Sequence, residues 1–254
     1  MPVAGGFSDM AQILVHREDV ELDAPTFVEG LPGVGLVGKI AADHLVDALD
    51  MTHYATCHCD GLPEVAVFRD GQTDYEPPVR VYADADSDLL VLQSDVPVSP
   101  GVAEEFAGCL TGWLANLDAT PLYLSGLPAE KTDVPELYGV AHGDVAAVLD
   151  EHGIDPPTQD GVISGPTGAL LYQARRDGLD AAGLVVESNP NFPDPAAARV
   201  VLTHGIAPIA DVSVETDDLV EQAEEISAAR EELAKRMREA GQESSSAQPM
   251  GMYQ

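Results

Sequence analysis

The amino-acid sequence predicts an α/β fold: a three-layer α/β/α domain whose sheet is mainly parallel. Short aliphatic and β-branched runs alternate with longer segments in which apolar residues recur at helical spacing. Proline-rich turns separate them, as at Pro77-Pro78 and Asp155-Pro156-Pro157. No internal repeat is visible, and 254 residues with 45% hydrophobic content suffice for one large domain or two small ones.

Seven apolar segments bounded by turn residues are predicted strands. They are residues 25–29, 54–59, 64–68, 79–83, 89–93, 121–124 and 183–187. Four segments with helical periodicity lie between or after them. They are residues 34–49, 102–117, 165–176 and 196–202. The second of these helices follows Ser99-Pro100, which is typical of a helix start.

A longer helix is predicted over residues 216–240, because both of its ends carry the expected signals. Thr216 can cap the N-terminus, basic residues occupy the last turn, and Gly241 stands where a left-handed C-cap belongs. Its narrow apolar stripe suits packing on its own domain or an oligomer seam. Residues 241–254 are polar and rich in small residues, so we expect a disordered tail. The predicted organisation is a domain over 1–215, the helix over 216–240 and a flexible tail over 241–254.

The charge balance is strongly acidic. Lys and Arg number 12 against 44 Asp and Glu, for a formal net charge of −32. Such a surface repels phosphate backbones, so we expect no nucleic-acid partner. The acidic excess runs along the whole chain, which favours a halophilic protein adapted to a salt-rich cytoplasm over one with a specialised basic partner.

The lack of recognisable targeting signals indicates a cytoplasmic location, and the three cysteines are consistent with it. No apolar run is long enough to cross a bilayer, and the N-terminus lacks the features of a signal peptide, so we expect no membrane association. Cys57 and Cys59 would project from one face of a strand. No further ligand pair stands at zinc-site spacing, so these two cysteines are predicted to be buried thiols and no metal is expected.

A glycine-rich block over residues 27–46 fits two nucleotide-site patterns in part. Gly33-x-Gly35-x-x-Gly38 resembles a dinucleotide fingerprint, although no acidic residue is well placed on the next strand. Gly33 to Lys39 fits most of a phosphate-binding P-loop, but Ile40 replaces the hydroxyl that holds magnesium. We therefore interpret these glycines as allowing a tight strand-to-helix turn and close helix–sheet packing.

Candidate catalytic residues are absent from the sequence patterns. The histidines lack a neighbouring nucleophile or metal-ligand spacing, and no Ser stands in a nucleophile elbow. We predict a protein that is not an enzyme, with no catalytic residue and no cofactor.

Four segments carry a resemblance to a known family. They are the run from Gly30 to Gly38, the run Ile163-Ser-Gly-Pro-Thr-Gly-Ala-Leu-Leu171, the Glu187-Ser-Asn-Pro run with the prolines and alanines after it, and the charged helix near the C-terminus. Together they resemble the archaeal and bacterial branch of the proteasome assembly chaperone family, over residues 20–240. The resemblance implies an α/β/α domain that forms a homo-oligomer, with or without a paralogue, and engages the α-type ring of the 20S proteasome.

The last three residues, Met252-Tyr253-Gln254, resemble the hydrophobic-Tyr-any ending with which proteasome regulators insert into pockets of the 20S outer ring. By this resemblance Met252 supplies the hydrophobic position and Tyr253 the aromatic one. Gln254 contributes its terminal carboxylate, which pairs with a lysine of the ring. The implied function is that of an ATP-independent assembly chaperone or activator that binds 20S α subunits. The alternative, from labels given to relatives, is an ATP-grasp-like or phosphorylase-like enzyme that binds a nucleotide or nucleoside at residues 30–39.

Overall fold

A mixed eight-stranded sheet organises the described residues, 12–129 and 134–222, of the computed structural model. The sheet order is β1-β3-β6-β7-β2-β8-β10-β9, and β4 pairs with β5 in a separate two-stranded hairpin. The strands are β1 (Gln12–Val15), β2 (Thr26–Gly30), β3 (Thr52–His58), β4 (Val67–Phe68), β5 (Tyr75–Glu76), β6 (Val79–Asp84), β7 (Leu89–Ser94), β8 (Thr120–Pro128), β9 (Leu137–His142) and β10 (Ala181–Ser188).

Helices connect the strands and cover the sheet. They are α1 (Val37–Ala48), α2 (Ala103–Asn116), α3 (Val145–Glu151), α4 (Gly165–Asp177), α5 (Pro195–Val200) and α6 (Ala207–Ile209). A π-helical stretch, Val201–Ile206, joins α5 to α6. Helices α1, α3 and α5 bury residues against one face, and α2 and α4 against the other. The predicted α/β/α architecture is therefore confirmed.

Parallel pairing is concentrated in the centre of the sheet. Strands β7, β2, β8 and β10 run parallel to one another. The flanks are antiparallel, with β9 beside β10 on one side and β6, β3 and β1 beyond β7 on the other. We refer to β1, β3 and β6 as the antiparallel wing. Helical crossovers suit parallel neighbours, which explains why the helices gather over the centre.

Successive side chains of each central strand point to opposite faces of the sheet and so pack in opposite halves of the core. In β7, Leu89 and Val91 pack on the α1 side, whereas Leu90 and Leu92 pack on the α2 side. Strands buried on both faces read as continuous apolar runs, which is why these segments were predictable from sequence.

Most predicted elements are present, with some differences. The predicted strand over 64–68 shrinks to Val67–Phe68, because Glu64 and Val65 follow Pro63 in an exposed loop. Strands β1, β5 and β9 and helices α3 and α6 were not predicted. They are two to seven residues long, too short for a clear periodic signal.

The predicted C-terminal helix is only partly within the described residues. Residues 217–222 are helical, and Leu219 is buried against the α1 side of the core. The His44 imidazole on α1 lies 2.6 Å from the Glu215 carbonyl and 3.4 Å from the Asp218 carboxylate. Residues 223–240 of this helix and the tail after it lie outside the described residues.

The thiol prediction is confirmed for Cys57 and wrong for Cys59. Cys57 and Cys59 do lie in one core cluster, and Cys57 is a free buried thiol. Cys59, however, forms a disulfide with Cys109 on α2, across a sequence separation of 50. The single-strand reasoning missed it because the partner sulfur comes from a helix packed on the same face.

The disulfide generates a stability prediction. For a separation of 50 residues, loop-closure entropy alone corresponds to about 4 kcal/mol. Reduction, or the double substitution Cys59→Ser/Cys109→Ser, should therefore lower Tm by about 10 °C. Differential scanning fluorimetry with and without reductant measures this, with Cys57→Ala as the matched control that keeps the bond. A wild-type Tm that does not respond to reductant would contradict the bond's structural role.

Candidate functional site

The sequence-predicted site residues Met252, Tyr253 and Gln254 lie outside the described residues. The structure does describe the glycine-rich turn after β2, together with the segments of residues 163–171 and 187–197 that carried the family resemblance. These segments are distant in sequence and come together at the carboxyl ends of β2, β8 and β10.

The glycine-rich turn is filled by the chain's own atoms. A Cβ at Gly30 would stand 2.3 Å from both the Ala42 Cβ and the Leu92 carbonyl oxygen. A Cβ at Gly126 on β8 would stand 2.5 Å from the Val34 carbonyl oxygen. The glycines therefore let α1 and its leading turn press onto the sheet, as the packing interpretation predicts.

Gly35 joins this turn to the loop after β10. Its φ of +64° lies in the left-handed region, and a Cβ there would stand 1.9 Å from the Ser188 Oγ. The Asp194 backbone N–H donates to the Gly35 carbonyl over 2.8 Å. The Asp194 carboxylate in turn accepts from the backbone N–H groups of Asn189, at 2.8 Å, and Ala197, at 3.1 Å, which caps α5.

Glu29, the penultimate residue of β2, links the turn to β8 and α4. Its side chain is fully buried. One carboxylate oxygen accepts from the Leu31 N–H at 3.0 Å; the other accepts from the Leu124 N–H at 3.2 Å and the Thr167 hydroxyl at 3.1 Å. Burial raises the pKa of Glu29 to about 8, and the three hydrogen bonds oppose part of that rise. The sequence analysis missed Glu29 and Thr167; an acidic residue inside an otherwise apolar strand was the available signal.

Lys39, the lysine of the P-loop-like pattern, is held in an ion-pair network. Its ammonium lies 2.9 Å from the Asp43 carboxylate and 3.2 Å from the Asp95 carboxylate. Asp95 also accepts from the buried Arg80, at 2.7 Å, and from Arg69 on the β4–β5 hairpin, at 2.9 Å. Together these cations hold the pKa of Asp95 below its ordinary value, against the opposing effect of burial. The lysine is thus used to tie α1 to the hairpin and the sheet, which disfavours the nucleotide-binding alternative.

A cleft of about 1040 Å³ lies elsewhere, over the antiparallel wing. Leu14, His16, His53 and Thr56 line its sheet side, and the hairpin residues Tyr75 and Glu76 line another part of it. His16 Nε2 lies 2.8 Å from the Thr56 hydroxyl, and the His16 and His53 rings are 5.1 Å apart. Burial, and then the neighbouring His16, lower the pKa of His53.

Two further features of the described ranges bear on function. Within them, no three His, Cys, Asp or Glu side chains are grouped so as to hold a metal ion. Nor does any helix in those ranges have the length and apolar character needed to span a membrane.

The two glycines Gly35 and Gly33 form a matched pair for testing the packing role of the turn. Gly35→Ala should lower the free energy of unfolding by at least about 2 kcal/mol, because the new methyl group meets Ser188 at a positive φ. Gly33→Ala should change it by less than about 0.5 kcal/mol, because nothing stands within 4 Å of its added Cβ. Chemical denaturation in molar KCl measures both. Equal effects of the two substitutions would refute the packing role.

Glu29 predicts a pH dependence of stability. Because its folded-state pKa of about 8 exceeds the ordinary value of 4.5, its contribution is full below about pH 4.5 and is lost as the pH rises towards 8. Glu29→Gln is neutral throughout and removes this component. The Tm difference between wild type and variant should therefore shrink from pH 5 to pH 8. Parallel Tm profiles would show that Glu29 does not titrate in this range.

Comparisons with known proteins agree with this architecture. A model of the PAC2 family matches residues 27–234. An uncharacterized protein of Methanocaldococcus jannaschii is 31% identical over 204 residues, which cover 76% of this chain and 78% of the relative.

Solved structures from Pyrococcus furiosus are also similar. PbaA, described as an archaeal homolog of proteasome-assembly chaperone, has 27% identity and a TM-score of 0.75, over 91% of this chain and 99% of PbaA. PbaB, described as an archaeal proteasome activator, shares the fold with 24% identity and a TM-score of 0.75, over 91% of this chain and 100% of PbaB. The chain therefore belongs to the PAC2 family, and the resemblance to proteasome assembly chaperones in its sequence is confirmed.

Proposed function

We propose that this protein is a cytoplasmic, non-enzymatic and ATP-independent assembly chaperone or activator of the 20S proteasome, acting as a homo-oligomer. The observation that carries the proposal is the combination of two independent parts of the chain. Residues 27–234 match the PAC2 family. Of the structures with the same fold, PbaA is described as a homolog of proteasome-assembly chaperone and PbaB as a proteasome activator. The chain then ends in Met252-Tyr253-Gln254, outside that matched domain.

The non-enzymatic part of the proposal is supported by how the family segments are used. The glycine-rich turn, the segment with Thr167 and the loop with Asp194 are packed on one another through Gly35 and Glu29. Beside Gly30 and Gly35 the chain's own atoms already occupy the space, so a phosphate has no room to approach at these two positions. The family signature therefore fits a scaffold that presents a binding segment.

The tail is proposed to dock into the α-ring between neighbouring α subunits. A tyrosine buries a large apolar ring while its hydroxyl still hydrogen-bonds, which suits the aromatic position of Tyr253. A terminal carboxylate desolvated beside a lysine is protected from the salt that cancels surface ion pairs. This protection matters in a cytoplasm of molar salt.

Oligomerisation makes a short anchor effective. A three-residue anchor that orders a flexible segment binds weakly, on the order of micromolar to millimolar Kd. Several copies on one scaffold raise the effective concentration of each later tail and increase avidity by about 10²- to 10⁴-fold. To open the ring as well as bind it, the inserted tail must favour the open state of the gate.

Removing the anchor tests the proposal. Deletion of Met252 to Gln254, or Tyr253→Ala, should reduce co-purification with 20S particles in molar KCl at least tenfold and leave Tm and oligomer mass unchanged. Gln254→Ala, which keeps the terminal carboxylate, should retain binding, and Tyr172→Ala changes an exposed tyrosine of the body as a matched control.

Normal co-purification after the deletion would contradict the tail's role. Hydrolysis of a small fluorogenic peptide by the 20S particle then separates the two activities. An activator raises this rate when added to mature particles, whereas an assembly chaperone raises only the yield of particles from free subunits.

A further inference from the structure

The antiparallel wing has one face that the helices leave open. Ile13, Val15, Ala55 and Val81 of the wing pack on the α2 side of the core. On the opposite side, α1 lies against β2, β7 and β8 instead. In the described ranges no helix covers that side of β1 and β3, and the cleft of about 1040 Å³ stands there.

Exposed apolar side chains gather around this open face. Phe68 and Tyr75 pair across the β4–β5 hairpin and are 85% and 71% exposed, and Leu14 on β1 is half exposed. Val65, beside the same hairpin, is also exposed and lines the cleft with Leu14 and Tyr75. Aromatic side chains on a firmly held element are typical of interface anchors. The hairpin is held in place by Arg69, whose guanidinium forms ion pairs with Asp95 and Glu76.

The local charge differs from that of the rest of this acidic chain. Of the seven Lys and Arg residues in the described ranges, four lie on or beside the wing: Arg17, Lys39, Arg69 and Arg80. All four are paired with carboxylates: Arg17 with Asp19, and the other three with Asp43, Glu76 and Asp95. The cleft residues of β1 and β3 include histidines but no carboxylate, although Asp60, Glu64 and Glu76 also line the cleft. Two copies of a chain with net charge −32 therefore meet less repulsion here than across an average part of the surface.

The edge of the wing is suited to pairing with itself. β1 bonds to β3 on one side only, and its other edge is unpaired among the residues that the structure describes. Natural edge strands are commonly protected by Lys or Pro, and Gln12–Val15 contains neither. An antiparallel pair of β1 strands centred on Leu14 would set Ile13 opposite Val15 with no like charges facing each other.

We propose that this surface, the β1 edge with Leu14 and the hairpin pair Phe68 and Tyr75, is where a second copy of the chain docks. A four-residue strand pair is too small to reach the roughly 800 Å² per partner of a stable interface. The hairpin aromatics Phe68 and Tyr75 add apolar area to the contact. The inference rests on the proposed homo-oligomer and names its contact surface.

Mass measurement on the isolated full-length chain tests the surface without any proteasome, so its outcome is separate from that of the tail experiment. By light scattering after size exclusion in molar KCl, wild type should have at least twice the chain mass of 26.7 kDa. Leu14→Lys, and separately Phe68→Ser/Tyr75→Ser, should lower that mass at least twofold. The control substitutions Val162→Lys and Tyr172→Ser alter exposed positions away from the wing and should keep the wild-type mass.

Crosslinking covers the case in which a substitution on the wing impairs folding. Leu14→Cys with a short bismaleimide should give a covalent dimer, and Val162→Cys should not. A wild-type mass of one chain, wing variants that keep the wild-type mass, or equal crosslinking at both positions would each overturn the proposal.

Discussion

The buried Glu29 carboxyl group is the interaction on which the rest of the architecture depends. It accepts hydrogen bonds from Leu31 at the start of the glycine turn, from Leu124 on β8 and from Thr167 on α4. An isolated buried carboxyl is costly, so the surrounding backbone must keep its donors in place. That requirement fixes where the turn leaves β2, and the glycines then allow α1 to approach the sheet. The same unit holds the loop after β10 through Gly35, so residues far apart in sequence form one packed junction.

The junction shows how a sequence signature that resembles a nucleotide-binding turn serves packing within the chain. In P-loop and dinucleotide folds the glycines make room for a phosphate at a helix N-terminus. Here the corresponding space is taken by Ser188 and Asp194, and Lys39 is paired with two carboxylates. In both cases the glycine spacing indicates that another group approaches the turn closely. In this structure the approaching group is a second segment of the same chain.

Sequence reasoning predicted the α/β/α fold and the central strands well, because strands buried on both faces are continuous apolar runs with clear ends. It failed where the deciding partner is distant. Cys59 was assigned as a thiol because Cys109 lies on a helix 50 residues away, and Glu29 was overlooked because its donors come from β8 and α4. Short elements such as β1 and α3 carry too few residues for a periodic signal and are stabilised by their neighbours. The family resemblance could be recognised because each of its segments is contiguous in sequence. The sequence does not reveal, however, that these segments meet in space.

The Asp95 network has a consequence for how this molecule encounters others. Lys39 and Arg80 are mostly or wholly withdrawn from solvent, and both are committed to internal carboxylates. The solvent-exposed surface therefore has an even higher ratio of anionic to cationic side chains than the composition suggests. For two such bodies, or for one approaching another anionic particle, long-range repulsion slows diffusional encounter, and dissolved ions relieve it. The association rate constant should thus rise with ionic strength, opposite to the usual behaviour of oppositely charged partners, so dissolved salt acts as a kinetic promoter of complex formation.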